Sequence, residues 1–126
     1  TTSVNNTAIA IAATWLLKAG GNKFDSPSNG VLRYIDKEPS SIRLVGNLCA
    51  FGASGYTAEV TIWKNGVQQN ESKMGFTIYT AREFCSVQFL DNSAVQNDQY
   101  EIRIRKTTAG AVTTTVIDAT LAAHKL

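Results

Sequence analysis

The sequence predicts an all-β chain, an antiparallel sandwich or barrel of about eight strands. Three observations carry that expectation. Apolar residues recur with period two along most of the chain. Turn-forming residues separate these segments at spacings of ~8–12 residues. A sustained helical period is almost absent.

Residues 30–36 alternate, with Val31, Arg33 and Ile35 on one face and Leu32 and Tyr34 on the other. Residues 41–51 are apolar on both faces: Ile42, Leu44, Leu48 and Ala50 share one, and Val45, Cys49 and Phe51 share the other. Such a strand needs cover on both sides, from a second sheet and from a partner or a loop. Gly46 in its middle signals a bulge or a close backbone approach. Residues 56–64 form the clearest strand, with Ala58, Val60 and Ile62 against Thr57, Glu59, Thr61 and Trp63. Asn65-Gly66 follows as a hairpin signal, since both central residues of a type I′ turn need positive φ. Residues 67–71 are placed to pair back. Residues 73–80 put Met74, Phe76 and Ile78 on one face, and residues 83–90 do the same for Cys85, Val87 and Phe89. The polar stretch 91–98 reads as a loop. Residues 99–106 alternate again, with Tyr100, Ile102 and Ile104 inward and Glu101, Arg103 and Arg105 outward. A turn over 107–111 leads into a last strand, 112–125, rich in Thr and Val.

The N-terminal stretch admits two readings. Thr7 can cap a helix over residues 8–18, with Gly20 and Gly21 as its stop. Alternation of Ile9 and Ile11 with alanines, and β-branched Thr14, favour an extended arm or first strand.

At 126 residues the chain has the size of one domain, divided here into an arm over 1–22 and a sandwich over 23–126. A hydrophobic content of 44% argues against disorder, and 17% charged residues against a strongly solvated chain. The formal net charge of +2 is too small to imply a nucleic-acid partner. The longest apolar run, residues 8–17, falls short of the ~20 that span a bilayer. No basic residue precedes that run, so it does not read as a signal peptide.

Catalytic chemistry is sparse. His124 is the only histidine, so a Ser-His-Asp triad or a histidine metal site would rest on one residue near the C-terminus. No GxSxG, P-loop or GxGxxG is present. The acids, among them Asp25, Asp36, Asp91 and Asp98, are scattered over strands and turns; cleaving a glycosidic bond would need two of them to converge, whereas turn acids usually bond their own backbone. Cys49 and Cys85 lack the spacing and companions of a metal site. Each reads as a buried thiol, with a single disulfide between them left open. Asn5-Asn6-Thr7 and Asn70-Glu71-Ser72 match the glycosylation acceptor pattern, which arises freely by chance. The expectation is a protein that is not an enzyme, with no cofactor and no metal.

Binding features remain. Glu101, Arg103 and Arg105 form a charged stripe that suits a solvated face, a salt-bridged subunit contact or a docking surface for an acidic partner. Trp15, Tyr56, Trp63, Tyr79 and Phe84 are aromatics that alternation does not clearly assign to the core. Core or rim packing is the first expectation for each; any that point outward mark interfaces or sugar-stacking platforms.

The order of segments resembles small jelly-roll domains of tailed-phage virion proteins. Those read as an aromatic, then G-x-L-x-Y, then x-P, a long apolar strand and KNG. Here the counterparts are Phe24-Asp25-Ser26-Pro27, Gly30-Val31-Leu32-Arg33-Tyr34, Glu38-Pro39, residues 42–51 and Lys64-Asn65-Gly66. Asn97-Asp98-Gln99-Tyr100-Glu101-Ile102 and the closing residues 112–126 continue the likeness, which covers residues 23–126. Two departures stand out: Gln99 is inserted between the acid and the aromatic, and the cysteines lie outside the pattern.

The resemblance implies a jelly roll of tumour-necrosis-factor-like and complement-head-like shape, assembling as a homotrimer. It implies a virion protein made in the bacterial cytoplasm: a capsid decoration (cement) protein that binds the major capsid protein on the outer shell, with no nucleic acid or membrane partner. The alternative is a receptor- or carbohydrate-binding tip of a tail fibre or spike. Val4, Ile9, Ile11, Trp15, Leu16 and Leu17 would then form a capsid-docking arm, or simply the first strand. Val45, Phe51, Trp63, Tyr79, Phe84, Arg103 and Arg105 are the candidates for the subunit interface.

Overall fold

A computed structural model describes residues 2–4, 9–10, 23–28, 30–52, 55–107 and 112–126. Eleven strands are formed among them: β1 (Thr2–Val4), β2 (Ile9–Ala10), β3 (Phe24–Ser28), β4 (Val31–Tyr34), β5 (Ser40–Gly52), β6 (Tyr56–Lys64), β7 (Val67–Gln68), β8 (Met74–Ile78), β9 (Glu83–Ala94), β10 (Gln99–Lys106) and β11 (Val112–Lys125). Every pairing between them is antiparallel.

The first sheet runs β1-β11-β5-β9. The second runs β3-β4-β10-β6-β7, with β2 also on β10 and β8 also on β6. In chain order the strands therefore pass from sheet to sheet repeatedly: β1 in the first, β2–β4 in the second, β5 back, β6–β8 across, β9 back, β10 across and β11 back. This is the winding of a jelly-roll β-sandwich.

Alternation builds the core. Leu32, Tyr34, Ile42, Leu44, Ile62, Ile78, Ile102, Ile104 and Leu121 are completely buried between the sheets. The inward sets expected for residues 56–64, 83–90 and 99–106 are the buried ones. At the hairpin after β6, Asn65 and Gly66 take φ of 51° and 78°, and Lys64 pairs with Val67 across a two-residue turn, as type I′ geometry requires.

Three details differ from the sequence reading, and a fourth decides a reading it left open. The segment over 67–71 pairs only through Val67–Gln68; Asn70–Ser72 then turns as a 3-10 helix. Its Ser72 is buried, accepting the Ile62 amide at 2.8 Å, so this hydroxyl serves the fold. The polar stretch 91–98 is not all loop, because β9 runs on to Ala94. Its polar residues enter a strand because Asp91 finds partners inside the sandwich, described below. Phe24–Ser28 forms a strand that polar Asp, Ser and Pro residues concealed; Arg33 clasps Asp25 across β3 and β4 at 2.8 and 2.6 Å. Tyr56 is a core residue, whose hydroxyl is hydrogen-bonded to buried Thr114.

Gly46 explains how closely the sheets approach. A Cβ there would lie 2.6 Å from Ile102 Cδ1 and 3.0 Å from Val87 Cγ2. Ile102 is fully buried and cannot swing aside. Gly46→Ala is therefore expected to destabilise by about 1–3 kcal/mol through overpacking, read as a lowered urea midpoint. An unchanged midpoint would show that the sheets separate freely at this point.

Candidate interaction surface

The candidate interface residues fall on two opposite faces. Val45, Phe51 and Phe84 project from the outer face of the first sheet, while Trp63, Arg103 and Arg105 project from the outer face of the second. Tyr79, 51% exposed, sits in the connection between β8 and β9. Of the proposed docking arm, Val4 lies in β1 on β11 and Ile9 in β2 on β10. Ile11, Trp15, Leu16 and Leu17 lie outside the described residues.

The first sheet's outer face follows from its register. Asp118, Cys49 and Phe84 lie side by side, then Thr120, Asn47 and Ser86, then Ala122, Val45 and Gln88, then His124, Arg43 and Leu90. Phe84 is 79% exposed and Leu90 51%. A bulge between Val116 and Asp118 leaves Ile117 exposed beside them; bulges re-aim side chains in this way. A concavity of about 190 Å³ adjoins Phe84, lined also by Asn47, Cys49, Ser86, Asp118 and Thr120. Arg43, Asp118 and His124 are the ionisable side chains of these rows apart from the buried thiol. Leu90 was legible beforehand, since it shares the parity of Phe84. Ile117 was not, because nothing in residues 112–125 announces the bulge.

The second sheet's outer face is different in kind. The Arg103 guanidinium lies 4.0 Å from the centre of the Trp63 ring and is held by Glu101 at 2.5 Å. The indole N–H donates to Thr61 at 2.9 Å. Arg105 pairs with Glu59 at 2.6 Å. The other Glu59 oxygen accepts no hydrogen bond and has Lys73 Nζ at 3.6 Å. The charged stripe is thus largely neutralised within the molecule, and one face of Trp63 is taken by a cation.

Among the described residues, the groups that the sequence offers for catalysis lie apart. His124 is exposed on β11, and among the described residues no three His, Cys, Asp or Glu side chains gather to hold a metal. Cys49 and Cys85 are free, buried thiols. Cys49 lies opposite Phe84 and Cys85 opposite Leu48, so adjacent-residue alternation points the thiols to opposite sides of the sheet. Burial pushes the Cys85 thiol up to about 11, which leaves it a poor nucleophile at neutral pH.

The strongest electrostatics are internal. Lys64 Nζ sits 2.7 Å from Asp91 and 3.4 Å from Asp98, and the Tyr100 hydroxyl donates to Asp91 at 2.5 Å. Burial works against the Asp91 charge, but Lys64, Tyr100 and the Ser93 amide outweigh it and hold the carboxyl below its usual range. Burial likewise opposes the Lys64 charge, and the two carboxylates outweigh it and raise the ammonium. Elsewhere, Asp36 takes Lys125 at 2.7 Å and Lys23 at 3.2 Å, tying the last strand to the loop after β4. These hydrogen bonds and the Glu38 amide hold the Asp36 carboxyl far below the usual range.

Comparison with known proteins adds little beyond the architecture. No protein-family model matches the chain, and no curated protein does. Among solved structures, CBM35 from Paenibacillus barcinonensis is similar at 15% identity, covering 92% of each chain, with a TM-score of 0.34. CBM35 from Cellvibrio japonicus Abf62 is similar at 12% identity, covering 95% of this chain and 96% of that one, with a TM-score of 0.30.

The buried cluster sets a pH window. Asp91 is depressed, so its contribution is complete above the unfolded carboxyl range near ~4 and is lost as pH falls further. Lys64 is raised, so its contribution is complete below ~10.5 and is lost as pH rises through the folded value. Lys64→Met should cost about 3 kcal/mol at pH 7, because two carboxylates lose their shared cation. The loss should be smaller at pH 3, because the stability that Asp91 draws from its partners begins to fade below ~4 and is lost as pH falls through its lowered folded value. Denaturant titrations of both proteins at the two pH values check this, and a pH-independent difference would contradict it.

Proposed function

We propose that this protein works by binding rather than catalysis, as a homotrimeric capsid decoration protein on the outer shell of a phage. The observation that carries this reading is the outer face of the first sheet. Phe84, Leu90 and Ile117 are exposed there, with Val45 and Phe51 half-buried. The strand rows carry Arg43, Asp118 and His124 but no Lys or Glu, the depletion typical of a subunit interface. An apolar sheet face in water invites cover, and sister copies of the chain supply it. The jelly-roll winding agrees with the shape that the sequence resemblance implies.

The role follows from linkage. A protein that binds only the assembled shell adds its binding free energy to the stability of that shell. Three subunits acting together turn a modest contact apiece into firm attachment. The salt-bridged face of the second sheet stays solvated in such a trimer. No cofactor or metal enters this reading, and the partners are the sister subunits and the major capsid protein.

Tyr79 favours a second reading, a carbohydrate-binding tip. Its ring is half exposed and lies beside Gly55, where a Cβ would stand 3.5 Å away. An open aromatic ring in a connection between strands suits stacking on a sugar.

Light scattering at micromolar concentration should give three times the chain mass. Phe84→Asp should yield a folded monomer, because this side chain makes little of the core. A monomeric wild-type protein would sink the decoration reading. A glycan array should show no binding; sugar binding abolished by Tyr79→Ala would favour the second reading instead.

A further inference from the structure

Asn65-Gly66 is the dipeptide in which a following amide nitrogen reaches an asparagine side chain most easily, because glycine offers it no side-chain obstruction. The Gly66 nitrogen attacks the Asn65 carboxamide carbon, the C–N bond to the amide nitrogen breaks, and ammonia leaves. A five-membered imide results. Water then opens it to aspartate or to its β-linked isomer. The step needs no reagent but water, and the turn is at the surface, with both residues exposed.

In the folded protein the Asn65 side chain is engaged elsewhere. Its Oδ1 accepts the Gln99 amide at 2.9 Å. Its Nδ2 donates to Asp98 Oδ1 at 2.9 Å. The Asn65 amide itself donates to the Gln99 carbonyl at 2.8 Å. The side-chain carbonyl thus stands in for a backbone carbonyl at the end of the β6–β10 ladder. The carboxamide is drawn toward β10 instead of presenting its carbon to Gly66.

The product would meet a hostile site. Asp98 already shares Lys64 with buried Asp91, so two carboxylates lean on one ammonium. A carboxylate at position 65 would be the third. It would also replace the donor that Asp98 uses with an acceptor, and like charges at this distance repel.

We propose that Asn65 is a latent deamidation site, protected by its bonds to the turn after β9, whose conversion unlocks the two turns from one another. Protection and damage are coupled: opening the turns exposes the carboxamide, and the new charge keeps them open.

Intact-mass and peptide mapping at pH 8 and 37 °C should detect the 1 Da gain at Asn65 at least tenfold more slowly in the native protein than in the chain held in urea. Asn65→Asp should lower the thermal midpoint at pH 7 and recover much of it at pH 3, where the new carboxyl is neutral. Asn65→Gly keeps the positive φ without adding a charge, so its deficit should be smaller at pH 7 and change less between the two pH values than that of Asn65→Asp. Equal rates in the native and unfolded chains would overturn the protection. An Asn65→Asp midpoint deficit that is absent at pH 7, or equal at both pH values, would overturn the switch.

Discussion

The closeness of the two sheets at Gly46 governs much else in this molecule. β5 is the central strand of its sheet, paired with β11 on one side and β9 on the other. Its inner face must accept Ile102 from the opposite sheet, and only a residue without a Cβ leaves that room. With the gap set, the inward residues of β6, β9 and β10 fill one dry layer. The buried charge of Asp91 is admitted because Lys64 and Tyr100 partner it. Repeated crossing of the chain between sheets then makes separation of the layers a global event, since no sheet can leave without pulling its neighbours along the sequence.

That constraint sorts the charges. Asp91 is carried into the sandwich by a β9 that runs past its apolar segment. It is tolerated because Lys64 and Tyr100 arrive from β6 and β10 in the other sheet. The ion pairs of the second sheet's outer face consume the stripe that looked available for a partner. Among the described residues the first sheet's outer face carries isolated side-chain bonds in place of such a network: Arg43 to Gln88, Ser86 to Asn47 and Ser41 to Asn92. Phe84, Leu90 and Ile117 stay uncovered on that face, while Val67 and Met74 are uncovered on the second sheet. The two faces therefore differ in their ion pairs, and it is the face without them that the proposed assembly covers.

What was legible in the sequence is whatever alternation and turn chemistry encode. The inward sets of β6, β9 and β10, the Asn65-Gly66 turn and the tight approach at Gly46 all follow from local pattern. Missed features depend on partners distant in the chain. The strand character of Phe24–Ser28 comes from pairing with β4 and from the Arg33 clasp on Asp25, neither visible in a polar pentapeptide. The extension of β9 to Ala94 depends on Lys64, nearly thirty residues away. The surface was half legible: parity sends Phe84 and Leu90 outward together, but the bulge that exposes Ile117 leaves no mark in the sequence. Trp63 was read as a candidate platform, and only the position of Arg103 reveals that one side of its ring is occupied.

The proposed binding role rests on a physical contrast. A reactive site draws titratable groups together in a cleft and shifts them toward neutral pH. Here the shifted groups are driven away from it: Asp36 and Asp91 downward, Lys64 and Cys85 upward. Each such shift fixes one protonation state across the neutral range and so serves cohesion. The side chains left exposed in quantity are Phe84, Leu90, Tyr79 and Val67, which neither donate nor accept protons near neutrality. Their available contribution is area and shape. In the first sheet those properties are presented by β5, β9 and β11, regular strands hydrogen-bonded into the sandwich, so little backbone freedom remains to be lost when a second surface arrives.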